Sequence, residues 1–194
     1  RVTGVVVSAV DENKKPIAET EMHFDCDTVL FSVGLIPENE LSKEAGVELS
    51  PGTKGAVVDQ SRETSVDGIF ACGNVLQVHD LVDFVSEEAE IAGKSAARYA
   101  MSGKKDKKIV LTDAGNFVSY VLPQKIDIKD KEDISLYFRV NATILNPKIN
   151  LRCGEKLIAS FKKPVVVPGE MQREKLSADK FTELSDTVTV EIER

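Results

Sequence analysis

The residues best suited to hold a cofactor lie in residues 64–74, TSVDGIFACGN, a pattern that predicts a turn, a short buried strand and a glycine where the strand stops. Gly73 has no side chain, so a ligand can approach the main chain there. Asn74 can donate and accept hydrogen bonds, which suits a hydroxylated ligand. We therefore expect a flat, polyhydroxylated cofactor at the end of this strand.

The next residues predict a helix that begins near Leu81 and Val82. Asp80 and Asp83 have the capping-box spacing, in which each side chain meets a free backbone N–H group. A helix N-terminus stabilises a nearby anion at an exposed site by about 0.3–1 kcal/mol. From spacing alone, an empty strand-to-helix corner with a structural glycine explains the pattern about as well as a ligand site does.

Small and apolar residues recur at steps of three and four along this helix, which predicts that one face packs on a sheet. The face comprises Val85, Ala89, Ala92, Gly93, Ala96 and Tyr99. Ser102 and Gly103 are expected to end the helix, and residues 104–108 (KKDKK) to form a solvated linker rather than a nucleic-acid patch.

Histidine and cysteine supply few further candidates. His79 stands at the helix entrance, where capping or packing is a more common role than catalysis. His23 is expected to be exposed, and Cys72 to be a buried core residue rather than a reactive thiol. The three cysteines form no CxxC pair, so we expect neither a disulfide framework nor a metal site, and we favour a reducing compartment such as the cytoplasm.

Composition excludes several classes of function. The chain has 194 residues, 42% of them hydrophobic, which is enough for a real core. Its net charge of -7 argues against nonspecific nucleic-acid binding. Its apolar runs are far shorter than the ~20 residues of a membrane span. Because the sequence begins at Arg1 inside a strand-like pattern, we expect a piece of a longer polypeptide.

The first part of the chain alternates strand and helix patterns. Residues 2–10 and 21–26 predict a hairpin whose second strand is half-buried. Residues 28–33 are apolar without alternation, as in a strand covered on both faces, and Gly34 follows at its tight exit. Residues 39–45 predict a short helix that stops at Gly46, and a brief strand is expected near residues 55–58.

Beyond residue 108 the pattern changes to short strands separated by turn signals, which is typical of a small β-sandwich. We expect strands at residues 117–122, 134–140, 149–153, 157–161, 164–167 and 187–192. The predicted fold is therefore an α/β region over residues 1–108, followed by an all-β, sandwich-like domain over residues 109–194.

Two motifs resemble the FAD-dependent pyridine nucleotide-disulfide oxidoreductase superfamily. Residues 26–37 (CDTVLFSVGLIP) look like its "ATG" segment, and residues 64–74 resemble its second FAD motif, T-x-x-x-x-hydrophobic-hydrophobic-A-x-G-D. Residues 78–88, 117–124 and 168–172 are similar to a subgroup found with glycerol-3-phosphate dehydrogenase-like subunits, which carries an extra β-rich region.

The resemblance implies an enzyme that passes electrons from NAD(P)H through FAD to an acceptor. It implies a partial two-dinucleotide-binding fold, with residues 1 to about 27 as the last hairpin of the NAD(P)H domain. The residues expected to bind FAD are Gly34, Gly73, Asn74, Leu81 and Val82. The family usually has an acid at the position of Asn74, where it binds a ribityl hydroxyl. The amide keeps the hydrogen-bonding reach and loses the charge.

The phosphate-binding glycine loops of the family, G-x-G-x-x-G, do not occur in these 194 residues. We therefore expect this chain alone to be inactive. An alternative is an interaction module, in which the β domain docks a partner subunit and the first region is a flavin-free or non-catalytic scaffold.

Overall fold

The computed structural model describes residues 1–32 and 34–194, without the side chains of Thr182 and Glu183. It is a mixed α/β structure made mostly of strands, in two compact units, Arg1–Leu35 and Ile36–Arg194. In the described ranges no helix is both long and apolar enough to cross a membrane. Residues on both sides of position 108 belong to the second unit, and the domain boundary placed there stays a prediction.

The first unit contains the predicted hairpin. Strand β1 (Gly4–Val7) pairs antiparallel with β2 (Met22–Asp25), and Gly4 lies opposite Asp25. All four residues of β2 are exposed, so the prediction of a half-buried second strand is wrong within this unit. A two-stranded ribbon has no second layer of its own to cover either face.

The buried strand expected at residues 28–33 is also absent over its described part, residues 28–32. Leu30 and Phe31 are exposed there, and Val33 lies outside the described residues. An apolar strand becomes buried only when neighbouring strands pair with it, and none of the named strands in the described ranges pairs with this run.

The second unit begins with helix α1 (Glu40–Glu44), and Gly46 follows it with a left-handed φ of 77°, which confirms the predicted helix stop. The brief strand expected near residues 55–58 appears as one isolated bridge, between Leu49 and Ala56. The side-chain amide of Asn39 donates to two backbone carbonyls and so ties α1 to the loops behind it.

Helix α2 (Val82–Ser102) is the long helix that the sequence predicts, and Gly103 follows it with a φ of 71°. Ala92 is buried on its inner face, and Val85, Ala96 and Tyr99 are half-buried there. Ala89 and Gly93 are exposed instead, and a Cβ on Gly93 would meet nothing within 4 Å. The small residues at these two positions therefore serve no close packing.

The β region, residues 109–194, contains two larger sheets and a small ribbon. The five-stranded sheet has the order β5-β3-β12-β8-β9, formed by Lys125–Asp127, Ile109–Ala114, Val188–Glu193, Lys148–Cys153 and Lys156–Lys162. The three-stranded sheet has the order β11-β6-β4, formed by Gln172–Leu176, Ile134–Val140 and Val118–Leu122. Strands β7 (Ile144–Leu145) and β10 (Val165–Val166) pair with each other.

Both larger sheets contribute to one hydrophobic core, as the sandwich-like prediction requires. Leu136 and Phe138 of β6 lie in this core together with Leu151 of β8 and Val190 of β12, all fully buried. The sequence missed β3, β5, β7 and β11. Three of these strands have five residues or fewer, and turn residues lie close to their ends.

The β region also packs directly on residues 36–107. A second core cluster joins Val58, Ala71 and Leu76 to Leu122 and Tyr137 of the β region. The Gln60 side chain donates to the carbonyl of Asp127 at 2.9 Å and accepts its N–H at 2.8 Å. A single apolar cluster therefore connects the two parts of the second unit.

The predicted solvated linker contacts the rest of the fold at several points, and all of its residues except Lys107 are exposed. Lys107 is half-buried, and its ammonium forms ion pairs with Asp59 and Glu63. Two nearly buried carboxylates need a cation nearby, so this lysine is held while the other residues of the run stay exposed.

We expect Leu76→Ala to lower the free energy of unfolding by about 2–5 kcal/mol, since it removes a fully buried side chain from the cluster that joins the two parts. The matched control is Leu41→Ala, because Leu41 is exposed on α1 in the same unit. Denaturant unfolding measures both. Equal effects of the two substitutions would contradict the packing.

Candidate functional site

Gly73 lies at the centre of the predicted site, buried and with a φ of 72°. It opens a short 3-10 helix, Gly73–Val75. A Cβ at this position would meet only Val85, at an ordinary 3.6 Å. Glycine is therefore favoured here by the left-handed backbone rather than by crowding from the protein, and the expectation that it lets a ligand approach the main chain stays a prediction.

Asn74 is exposed next to this buried glycine. Its side-chain oxygen accepts the backbone N–H of His79 at 3.2 Å, which closes the loop between the 3-10 helix and α2. The amide nitrogen has no hydrogen bond among those found for the described residues and is free to donate to a ligand.

Leu81 and Val82 form the start of α2. Leu81 is the N-cap residue, in extended conformation, and no side chain caps the helix. The two apolar side chains are 55% and 75% exposed. The first turn therefore presents backbone N–H groups beside an uncovered apolar surface.

Asp80 does not cap α2, so the predicted capping box with Asp83 is wrong. One carboxylate oxygen of Asp80 accepts a hydrogen bond from the Arg139 guanidinium at 2.6 Å, and the other accepts the backbone N–H of Met171 at 2.7 Å. Because both oxygens are engaged by the β region, neither is available to the helix.

Gly34 belongs to the first unit, where it is exposed with a φ of 82°. The structure describes the two units separately, and the role of Gly34 in cofactor binding stays a prediction. The other four predicted residues, Gly73, Asn74, Leu81 and Val82, lie within ten positions of one another in the second unit.

The Glu88 carboxylate is fully buried on the inner face of α2 and accepts hydrogen bonds from the loop around Gly73. One oxygen accepts the Gly73 N–H at 2.8 Å and contacts the imidazole Nε2 of His79 at 2.9 Å. The other accepts the Arg62 Nε–H at 3.2 Å, and the side-chain amide of Gln77 lies 3.4 Å from it. One carboxylate thus contacts Arg62, which lies two residues before the motif, the glycine of the motif and the loop after it.

Burial opposes the charge on Glu88 more strongly than any other single effect. The hydrogen bond from His79, the charge of Arg62 and the N–H of Gly73 nevertheless hold the pKa of Glu88 below its ordinary value. The carboxylate is therefore ionised at neutral pH, and it is matched by a guanidinium that is 1% exposed.

His79 has a packing role, the more common of the two that the sequence left open. Its side chain is 1% exposed, and its ring meets the Tyr137 ring edge-on at 6.5 Å. Among the residues that the structure describes, its Nδ1 finds no hydrogen-bond partner. With Nε2 engaged by Glu88, the imidazole is placed to support the loop rather than to exchange protons with a ligand.

Tyr137 and Arg173 of the β region contact α2 at Glu87, the residue before Glu88. The Tyr137 hydroxyl donates to Glu87 at 3.2 Å, and the Arg173 guanidinium forms an ion pair with the same carboxylate. Burial, together with the charge of Glu87, raises the pKa of Tyr137 to about 12, so its hydroxyl keeps its proton and remains a donor.

Cys72 lies beside this network and is partly buried. Burial, and next the charge of Glu88, raise the pKa of the Cys72 thiol. A protonated thiol is a poor nucleophile, which agrees with the expectation of a packing residue. The part of the chain that the structure describes contains no group of three His, Cys, Asp or Glu side chains able to hold a metal ion.

The residues that the sequence analysis missed are Arg62, Glu88 and Tyr137. Glu88 lies three residues after Val85 and four before Ala92, inside the register of the apolar face. A carboxylate in that register needs a buried cation, and Arg62 stands two residues before the motif. This pairing was detectable, whereas the contribution of Tyr137 depends on the tertiary fold.

We expect Glu88→Gln to lower the free energy of unfolding at neutral pH by about 3–5 kcal/mol, because it leaves Arg62 buried without its counter-charge. Since the folded pKa of Glu88 is depressed, the stabilisation is complete above its ordinary value of 4.5 and is lost as the pH falls through the folded pKa. The difference between wild type and variant should therefore shrink below about pH 4.5.

Urea unfolding over a pH series measures this difference, with Glu90→Gln as the control. Glu90 lies on the same helix, exposed and paired with Lys94, and its substitution should change stability far less. A gap between wild type and Glu88→Gln that widens on acidification would disprove the assignment.

Two comparisons relate this geometry to known proteins. Residues 1–89 match the family model described as pyridine nucleotide-disulphide oxidoreductase. The chain is also 34% identical, over 95 residues, to a dihydrolipoyl dehydrogenase of Halobacterium salinarum. That alignment covers 48% of this chain and 19% of the relative, so the chain spans less than a fifth of the relative's length. Both matches relate the first part of the chain to the pyridine nucleotide-disulfide oxidoreductase superfamily, and the family match ends before the β region.

Proposed function

We propose that the protein containing this chain is an FAD-dependent oxidoreductase that passes electrons between NAD(P)H and an acceptor. The observation that carries the proposal is the family match over residues 1–89, which includes the whole motif from Thr64 to Asn74. The aligned relative is named as a dihydrolipoyl dehydrogenase, and this name agrees with an electron-transfer activity. The use of NAD(P)H as electron donor, the transfer of electrons to an acceptor and the membership of the subgroup with glycerol-3-phosphate dehydrogenase-like subunits are all parts of this proposal.

The exposed groups around the start of α2 fit a flavin. Asn74 offers an amide donor for a ribityl hydroxyl, and the uncapped turn after Leu81 offers backbone N–H groups. The exposed side chains of Leu81 and Val82 provide an apolar surface for a flat ring system. When bound, the flavin supplies the hydride and electron chemistry, and these residues position it.

Electrostatics at this end of α2 favour a ligand that becomes anionic at its edge. The helix N-terminus contributes about 0.3–1 kcal/mol toward a nearby negative charge. Asp83 lies in the first turn and opposes this effect, but it is exposed, so water and salt screen its charge. The replacement of the family's usual acid by Asn74 removes a second negative charge from the same place.

A second candidate function is a partner-docking scaffold without flavin, and Asn74 in place of an acid is the observation that favours it. The structure changes how the two should be distinguished. Removing residues 109–194 would expose Leu76, because the cluster around it includes Leu122 and Tyr137. A deletion would therefore unfold the flavin motif in either case, and direct measurement of flavin in the purified full-length protein is the sharper test.

We expect the full-length protein to purify with flavin absorbance bands, or to acquire them after FAD is added, and to oxidise NAD(P)H with an artificial dye as acceptor. This chain alone should not bind FAD with tight, stoichiometric affinity, since it has no G-x-G-x-x-G loop for the pyrophosphate. Full-length protein without flavin bands after FAD addition would favour the scaffold function instead.

We also expect Asn74→Leu in the full-length protein to weaken FAD binding by about 1–3 kcal/mol, because a ligand hydroxyl loses its partner. Asn74→Asp is the matched variant, since it keeps an acceptor for the His79 N–H and restores the family's usual acid. Fluorescence titration of the apoprotein with FAD gives both dissociation constants. Equal affinities of Asn74→Leu and wild type would remove Asn74 from the site.

A further inference from the structure

We propose that Arg139 of strand β6 is a positioning residue for the flavin: it fixes the turn at residues 78–80 and thereby sets where the first turn of α2 lies. The inference rests on the proposed function and extends it to a residue outside the part of the chain that matches the family model. It also gives the β region a role within the flavin site.

The Arg139 guanidinium donates hydrogen bonds to two turns, the one at residues 78–80 and the one before Met171. It donates to the carbonyl of Val78 at 3.1 Å and to the carboxylate of Asp80 at 2.6 Å. It also donates to the carbonyl of Gly169 at 2.9 Å, in the turn before Met171. A planar guanidinium holds its partners in a fixed geometry, which a lysine ammonium does not.

Asp80 completes the connection from the other side. Its second oxygen accepts the N–H of Met171 at 2.7 Å, so the carboxylate bridges β6 and the turn that precedes β11. The Arg139 side chain is 18% exposed and that of Asp80 is 33% exposed. The pair is therefore partly shielded from solvent, and it holds its geometry better than a fully exposed ion pair.

The held residues are the ones that lead into the proposed site. Asp80 is adjacent to Leu81, the N-cap of α2, and Val82 is the first helical residue. No side chain caps α2, so Arg139 and Asp80 orient the turn at residues 78–80 together with the Glu88–His79 contact. A shift of this turn would move the backbone N–H groups that are proposed to face the flavin.

The Tyr120 hydroxyl accepts a hydrogen bond from Arg139 and helps to orient its guanidinium. It lies 3.2 Å from the Arg139 Nε and belongs to strand β4, the neighbour of β6. Burial raises the pKa of Tyr120 more than the guanidinium lowers it, so the hydroxyl is neutral and acts as an acceptor. Arg139 is thus oriented before any ligand binds.

The test measures FAD binding by full-length Arg139→Ala, Arg139→Lys and Asp80→Asn. We expect Arg139→Ala and Asp80→Asn each to raise the dissociation constant for FAD about tenfold, a size typical of residues that act on a site through their neighbours. Arg139→Lys should recover only part of the loss. The visible circular dichroism of bound flavin, recorded at saturating FAD, should change in all three variants, and least in Arg139→Lys.

The control is Arg152→Ala. Arg152 is also a β-region arginine in an ion pair, with Glu191 at 2.7 Å, and it lies on the five-stranded sheet. This variant should leave both the FAD affinity and the visible dichroism unchanged. Far-UV dichroism and thermal unfolding of each apoprotein show whether a loss of affinity reflects unfolding.

The outcomes separate the inference from the proposed function. Wild type that binds no FAD overturns the proposed function. Wild type that binds FAD, with Arg139→Ala folded and unchanged in affinity and dichroism, overturns the positioning role alone. If Arg139→Ala is unfolded, Asp80→Asn and Arg139→Lys decide the matter, and unchanged flavin dichroism in whichever of them folds rejects the proposal.

Discussion

The buried carboxylate of Glu88 is the interaction on which the proposed site depends. A lone carboxylate in this position would cost several kcal/mol of lost hydration, and it is offset only because guanidinium, imidazole and backbone donors converge on it. Each donor comes from a different part of the chain around the motif. The loop after Gly73 therefore has one stable arrangement, the one that satisfies the charge.

This constraint gives the motif glycine a structural role that does not depend on a ligand. With a φ of 72°, Gly73 turns its N–H toward Glu88 and leaves Asn74 on the surface. A residue with a side chain would be strained in this conformation, and the carboxylate below would lose a donor. The same turn thus brings a backbone N–H to the buried Glu88 carboxylate and leaves the Asn74 amide exposed.

The sequence predicted the elements whose signals are local. The long helix, its glycine stop and most of the longer strands follow from periodicity and turn residues, and the structure confirms them. Asn74 was identified through the motif, and Leu81 and Val82 through the helix start that follows it, and all three lie exposed near the start of one helix. Whether they bind FAD stays a prediction.

Two of the errors share a physical cause, since each concerns a side chain whose partner is distant in sequence. Asp80 was assigned to a helix cap because Asp83 lies at the right spacing, but its partner Arg139 is 59 positions away. Lys107 was assigned to solvent, although it neutralises Asp59 and Glu63. Local patterns state what a residue can do, and the tertiary fold decides between equally good local choices.

The position of β12 in the five-stranded sheet has a consequence for how the protein assembles during synthesis. This strand, Val188–Glu193, lies between β3 and β8, pairing parallel with one and antiparallel with the other. Until it leaves the ribosome, those two strands have no common neighbour and the sheet has a gap in its middle. Residues 64–74 pack instead on Leu122 and Tyr137, which precede β12 in the chain, so their supporting cluster can form while the five-stranded sheet is still open.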